Sequence, residues 1–275
     1  MGHARREGDH IRTRVRPGHG VIIALAGLAL LLVVAPIAGL LWRVIREEAW
    51  RRAPEAEVVD AITLSMISTA LALVVIVMIG TPLAWILARW RFRGRRLLNI
   101  IIELPIVLPP AVAGLALLVT FGQRGLFGPA LDSIGINLAF STAAVVIAQT
   151  FVALPFYTRS AQIGFASIDP EIEAAAMVDG ANREMTFVYV TLPLTSRALL
   201  SGALLSWARA LGEFGATIIF AGSLAGKTRT MPLLVYNVLE RDLNAAVWTA
   251  LILVGLAALA IGLTRLLADN DVHEG

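Results

Sequence analysis

Six stretches of this chain are apolar enough and long enough to cross a bilayer. They are 21–42, 61–88, 97–121, 138–157, 192–220 and 245–267. A helix needs about 20 apolar residues to span the hydrocarbon core. Within lipid the backbone N–H and C=O groups must be paired internally, which leaves helices or closed barrels. Runs of this length read as helices and predict an all-α integral membrane protein with six transmembrane helices. The first run is too long and unbroken for a signal-peptide core, so it reads as a retained span. Composition agrees: 57% of the 275 residues are hydrophobic and only 16% are charged, against about a quarter charged in soluble domains.

The net charge of +3 comes mostly from arginines in short runs beside apolar segments. That is a topology signal and not a nucleic-acid footprint. The N-terminal tail carries Arg5, Arg6, Arg12, Arg14 and Arg16, and the loop after the second run carries Arg89, Arg91, Arg93, Arg95 and Arg96. The next loop has only Arg124. Six spans put the tail and the arginine-dense loop on one side, the cytoplasm. Arg43, Arg46, Arg51 and Arg52 after the first run pull weakly the other way. The expected layout is a multi-pass plasma-membrane protein in contact with lipid, with both termini cytoplasmic. It has a basic tail at 1–20, a first helix and outer loop at 21–58, a transmembrane domain at 59–268 and a short tail at 269–275. Trp42, Trp90 and Trp248 fall near span ends, as interfacial anchors or simply as large apolar residues. There is no cysteine, and His3, His10, His19 and His273 all lie in the tails. The membrane core therefore has no thiolate or imidazole for catalysis or metal binding, and no metal site is expected. No internal repeat is visible, so nothing favours the inverted-repeat design of many secondary transporters.

One polar segment interrupts the apolar pattern: EIEAAAMVDGANREMTFVYVTLPL, residues 171–194. Asp169 can cap a short helix with Pro170 at its first position and Glu171 in its first turn. Gly180 can take the left-handed conformation that ends it. Asn182 can cap a second helix, with Glu184 in its first turn, that feeds into the 192–220 run. The alanines leave a smooth face for close docking of another protein. The alternative is an ordinary amphipathic connector.

The spacing of Ala174-Ala175-Ala176, Gly180 and Val190-x-Leu192-Pro193 resembles the coupling loop of ABC importer permeases, E-A-A-x-x-x-G, nine residues, an aliphatic residue, one residue, L-P. From Gly180 onward the match is in register. Alignment on that glycine puts Ala174 where the family glutamate stands, with Glu173 one residue earlier. LPIVLPPAVAGLALLVTFGQRGLFG and ALGEFGATIIFAGSLAGKTRTMPLLVYNVLE are similar to the molybdate permease branch, and sulfate and thiosulfate permeases share related forms. The resemblance implies the type I ABC importer permease fold and import of molybdate or tungstate, with sulfate or thiosulfate as the alternative. It also implies that loop 169–193 seats in a groove of a separate ATPase through Glu173, Ala174, Ala175, Ala176, Asp179, Gly180, Ala181, Leu192 and Pro193. The implied partners are a second copy of this chain, two ATPase subunits that bind ATP and magnesium, and an extracytoplasmic oxyanion-binding protein. This chain would bind no cofactor and catalyse no chemistry. An ion-coupled secondary transporter and a structural membrane protein are rivals of other classes, and the coupling loop counts against both.

GSLAGKT, residues 222–228, is not a nucleotide loop. Three residues separate Gly222 and Gly226, whereas a Walker A motif needs four before G-K-[ST]. Pro105, Pro109 and Pro110 remove backbone hydrogen bonds in the third run. The result is either a kink lining the pathway or a structural bend. Arg209 and Glu213 share a helix face and form either a buried structural pair or a gate. Gly212 and Gly215 beside them would permit close helix packing. Ser65, Ser68 and Thr69 read as hydrogen-bonding groups between helices.

Overall fold

The computed structural model describes residues 19–52 and 54–270. The tails expected at 1–20 and 269–275 lie almost wholly outside them. Among the described residues there are helices and no strand. α1 (His19–Arg46) is exposed on every face from Gly20 through Gly39. Only its last two turns, from Leu40, pack. Val44 meets Ala49 and Val247, and Arg43 Nε donates to Asn244 Oδ1 at 3.0 Å. A 3-10 turn, Ala49–Arg52, leads to α2 (Glu55–Arg89), the longest helix at 35 residues.

α2, α6 (Thr142–Ser167) and α9 (Leu192–Leu211) pack against one another as the centre of the bundle. Between α2 and α6 come α3 (Arg95–Val107), α4 (Pro110–Phe121) and the short α5 (Gly128–Asp132). Small residues let the central helices touch, as is usual in membranes. A Cβ at Gly164 would lie 2.4 Å from Ala198 Cβ, and one at Gly202 would lie 2.7 Å from Ser160 Cβ. Two buried hydroxyls of α2 find partners on other helices. Ser65 Oγ accepts from Met231 N–H at 2.8 Å, and Thr69 Oγ1 accepts from Trp207 Nε1–H at 3.0 Å. Ser68 bonds only within its own helix, to Ser65 O.

α7 (Pro170–Val178), α8 (Arg183–Thr186) and a π-helical turn (Phe187–Thr191) sit between α6 and α9 at one end of the bundle. After α9 come α10 (Gly215–Phe220), α11 (Met231–Leu239) and α12 (Leu243–Asn270). Near the opposite end, Glu57 in the first turn of α2 takes Arg229 at 2.9 Å and Arg241 at 3.8 Å.

Three expected spans differ from the structure. The 97–121 run is two helices whose axes meet at 116°. Leu108 precedes a proline and is pushed to extended backbone, ψ 132°, and Pro109 follows at ψ 134°. The 192–220 run ends its helix at Leu211 and restarts at Gly215. The 138–157 run continues to Ser167. In its polar extension Thr158 Oγ1 donates to Leu154 O and Ser160 Oγ donates to Ala198 O at 2.8 Å. Among the described residues, three helices are long and apolar enough to cross a membrane, or four if the bent α3–α4 pair is one span.

Candidate functional site

The polar segment folds by its own local chemistry. Asp169 Oδ1 accepts from Glu171 N–H at 2.9 Å, with Pro170 at the first helical position. α7 ends in a Schellman motif. Gly180 N–H donates to Met177 O, Ala181 N–H donates to Ala176 O, and Gly180 has φ +100°. Asn182 Oδ1 then accepts from Met185 N–H at 2.8 Å and starts α8. The turn at Gly180 reverses the chain and leaves both helices at the surface. Ala174, Ala175, Asp179 and Pro193 are exposed, while Ala176, Ala181 and Leu192 are half-buried. Around them Ile172, Met177, Val178 (86% exposed), Met185 and Tyr189 (74%) form an uncovered apolar rim.

Glu173 differs from its neighbours because its carboxylate turns inward. Oε1 takes Arg89 Nη2 at 2.9 Å and accepts from Thr191 Oγ1 at 2.8 Å. Arg89 Nη1 also reaches Ile168 O. One carboxylate thus joins α7 to the last turn of α2 and to the π turn. The sequence reading placed Glu173 among the docking residues and did not single out Arg89 or Thr191. The available signal was an arginine that closes a long apolar helix opposite an acidic segment. Beside this junction lies a cleft of ≈ 840 Å³ lined by Pro82, Trp85, Trp90, Met177, Arg183 and Phe187, among others. Trp85 contacts Phe187 edge-on at 5.8 Å, and Phe187 contacts Phe165 at 6.1 Å. These rings seat the π turn on the bundle.

Of the pathway candidates, the structure brings four together in two contacts. Glu213 is 1% exposed, and its Oε2 meets Arg209 Nη2 at 2.8 Å. Its Oε1 accepts from Ala216 N–H at 2.8 Å, so the side chain bridges the break between α9 and α10. Gly215 sits on Pro110: a Cβ there would lie 2.4 Å from Pro110 Cβ. Pro109 caps α4 next to it. Pro105 stays within α3, which runs through it to Val107. Gly212 does not serve close packing, since a Cβ there would meet only Ala208 O at 3.8 Å. A second charged pair escaped the sequence reading: Arg159 Nη1 and Glu103 Oε1 are 3.7 Å apart between α6 and α3. Glu103 lies in the 97–121 run and Arg159 just beyond the 138–157 run, so no helical spacing links them.

Apolar helices around tight small-residue contacts, with a capped polar helix pair at one end, describe a multi-pass membrane subunit with a surface for a partner outside the bilayer. The family model described as "Binding-protein-dependent transport system inner membrane component" matches residues 80–270, and the chain belongs to this family, the type I ABC importer permeases. It is 43% identical over 238 residues to the molybdenum transport system permease protein ModB of Mycobacterium tuberculosis, covering 86% of this chain and 89% of that one. Identity to ModB of Escherichia coli K12 is 40% over 182 residues, 66% of this chain and 80% of that one. A probable sulfate transport system permease, cysT of Zygnema circumcarinatum, is 34% identical over 248 residues, 88% of this chain and 86% of that one. Among solved structures, a bacterial alginate ABC transporter in complex with its oligosaccharide-bound periplasmic protein has a similar fold. The TM-score is 0.71 at 14% identity, over 91% of this chain and 94% of that one.

Proposed function

We propose that this chain is the membrane-spanning permease of an ATP-driven importer of molybdate or tungstate. The observation that carries the reading is the 43% identity to a molybdenum permease over 86% of the chain. Two copies would enclose the pathway. Two ATPase subunits would bind and hydrolyse ATP with magnesium, and an extracytoplasmic binding protein would deliver the anion. In this reading the chain crosses the membrane six times with both termini, α7 and α8 in the cytoplasm. The exposed rim around Ala174, Ala175 and Gly180 receives the ATPase. Glu173 passes the resulting movement to α2 through Arg89 instead of touching the ATPase itself. The permease catalyses no bond chemistry. Nucleotide shifts its conformations only through different affinities for them.

Uptake into vesicles holding this permease with its cognate ATPase and binding protein tests the proposal. Molybdate uptake should require ATP, tungstate should compete, and sulfate should compete weakly. The similarity to the sulfate permease supports a second reading, import of sulfate or thiosulfate. Sulfate uptake without molybdate uptake would select it. Uptake independent of ATP would rule out both.

A further inference from the structure

α6 is enclosed from Ala144 to Thr158, and no residue in that stretch is exposed. At Arg159 the enclosure ends. Arg159, Ile163 and Ala166 are exposed, and their spacing places them on one helix face. They form a single open stripe running toward the α7 end of the bundle. Arg159 stands at its head, opposite Glu103 of α3. Each residue lies eight positions from the α7-side end of its helix, about 12 Å along the axis at ~1.5 Å per residue. In the six-span reading α6 is the fourth span and this depth lies inside its α7-side boundary, where charged side chains face a wet cavity or a protein partner and not lipid. Asn99, Thr158 and Gln162 line a small crevice beside the pair together with Leu87, Ile102 and Pro155.

The Arg209–Glu213 and Arg159–Glu103 pairs are built differently. Arg209–Glu213 is short, 2.8 Å, and Glu213 is sealed and holds a backbone N–H as well. Arg159–Glu103 is long, 3.7 Å, with side chains 57% and 45% exposed. The first has the geometry of a fixed bridge. The second can open without leaving a buried group unpaired.

We propose that Arg159 is an anion-binding residue of the α7-side half of the pathway, and that Glu103 is the counter-ion which a tetrahedral dianion displaces in passing. This rests on the reading of the chain as an oxyanion importer. A guanidinium fork matches two oxygens of such an anion. A site on a conduction path must also release its ion. The return of the Glu103 carboxylate supplies that release, because it competes for the same guanidinium.

The chain has no cysteine, so Ile163→Cys gives a single reporter one turn below Arg159 in the stripe. In the assembled complex, this thiol should react with water-soluble methanethiosulfonates applied from the α7 side. The anionic reagent should react faster than the cationic one, and sodium molybdate should slow it. Adding Arg159→Gln should lower the anionic-to-cationic rate ratio about tenfold, the scale of losing one charged hydrogen bond, and abolish the molybdate effect. A thiol unreactive to both reagents, or a ratio unchanged by Arg159→Gln, overturns the proposal. In vesicle uptake, Arg159→Gln should cut transport about tenfold on the same argument, Arg159→Lys should keep part of it, and Glu103→Gln/Arg159→Gln should remain low. Recovery in the double variant would reveal a structural ion pair and also overturn it. The thiol reaction needs no transport. If the unaltered complex imports neither molybdate nor sulfate, the substrate reading fails and the rate ratio still decides the role of Arg159.

Discussion

Gly180 and Glu173 lie seven residues apart and answer to different physics. At Gly180 the constraint is conformational: φ is +100° and nothing crowds a Cβ there. Gly180→Val should loosen the α7–α8 turn and reduce co-purification of the ATPase, because β-branched residues are strained at positive φ. Wild-type yield of the ATPase with this variant would refute the docking role. Glu173→Ala leaves the turn intact but strands Arg89, which is 15% exposed. It should cost about 1–3 kcal/mol of stability and lower transport per ATP hydrolysed more than ATPase binding. Equal losses of binding and transport would place Glu173 at the docking face after all. Arg209 and Glu213 allow a third comparison. Arg209→Leu or Glu213→Leu should cost roughly 3–5 kcal/mol, as for other broken buried pairs. The double variant should regain only part of this, because Glu213 also holds the Ala216 N–H. Full thermal recovery in the double variant would show that this third bond is dispensable. Recovered folding with transport still lost would assign the pair to the gate.

At the scale of elements, the caps were legible and so was a bend at the prolines of the third run, but the size of that bend and the break between α9 and α10 were not. The caps at Asp169, Gly180 and Asn182 act through bonds that span two to five positions, and Pro170 acts through its fixed φ, so local sequence encodes them. The 116° turn between α3 and α4 depends on what receives α4. Gly114 and Gly215 supply that surface, and the contact joins residues a hundred positions apart. Gly215→Ala should therefore separate α4 from α10 and cost about 1–3 kcal/mol, the usual scale of overpacking, in a thermal melt of the detergent-solubilised protein. Gly212→Ala, three residues away, should be neutral within experimental error. The opposite order would mean that the α9–α10 break, and not the helix contact, needs glycine. The start of α12 is again local. Asp242 accepts from Asn244 N–H at 2.7 Å and from Ala245 N–H at 3.2 Å. These backbone bonds, the one to Ala245 first, then Arg52, hold its carboxyl below the usual carboxylate range. The folded value is the lower one. The stabilisation is thus present above about pH 4, the ordinary carboxylate value, and disappears as pH falls through the depressed value. Asp242→Asn should reduce the acid-side fall in stability and leave the neutral-pH profile flat. An unchanged acid limb would exclude this cap as its source.

For the whole molecule, hydropathy located the apolar mass but not where each helix begins and ends. α6 carries buried Gln149, Thr158 and Gln162, polar residues that lower its apolar signal although they lie in the middle of the bundle. Single cysteines in this cysteine-free chain settle the topology. Those at Arg93 and Asn182 should label only from the cytoplasm, and those at Gly128 and Ser223 only from outside. External labelling at position 182 would invert the arrangement and remove the docking surface from the ATPase side. α2 links the two faces. One end is tied to α7 through Arg89–Glu173, the other to the far-side loops through Glu57 with Arg229 and Arg241. It runs through Pro82 unbroken for 35 residues, about 52 Å at ~1.5 Å per residue. Such a member behaves as a stiff strut. A tilt of about 5° imposed at the Arg89 end displaces the Glu57 end by roughly 5 Å over that length. The distance is comparable to one helical turn, enough to reseat the far mouth without any motion having to pass through the broken helices.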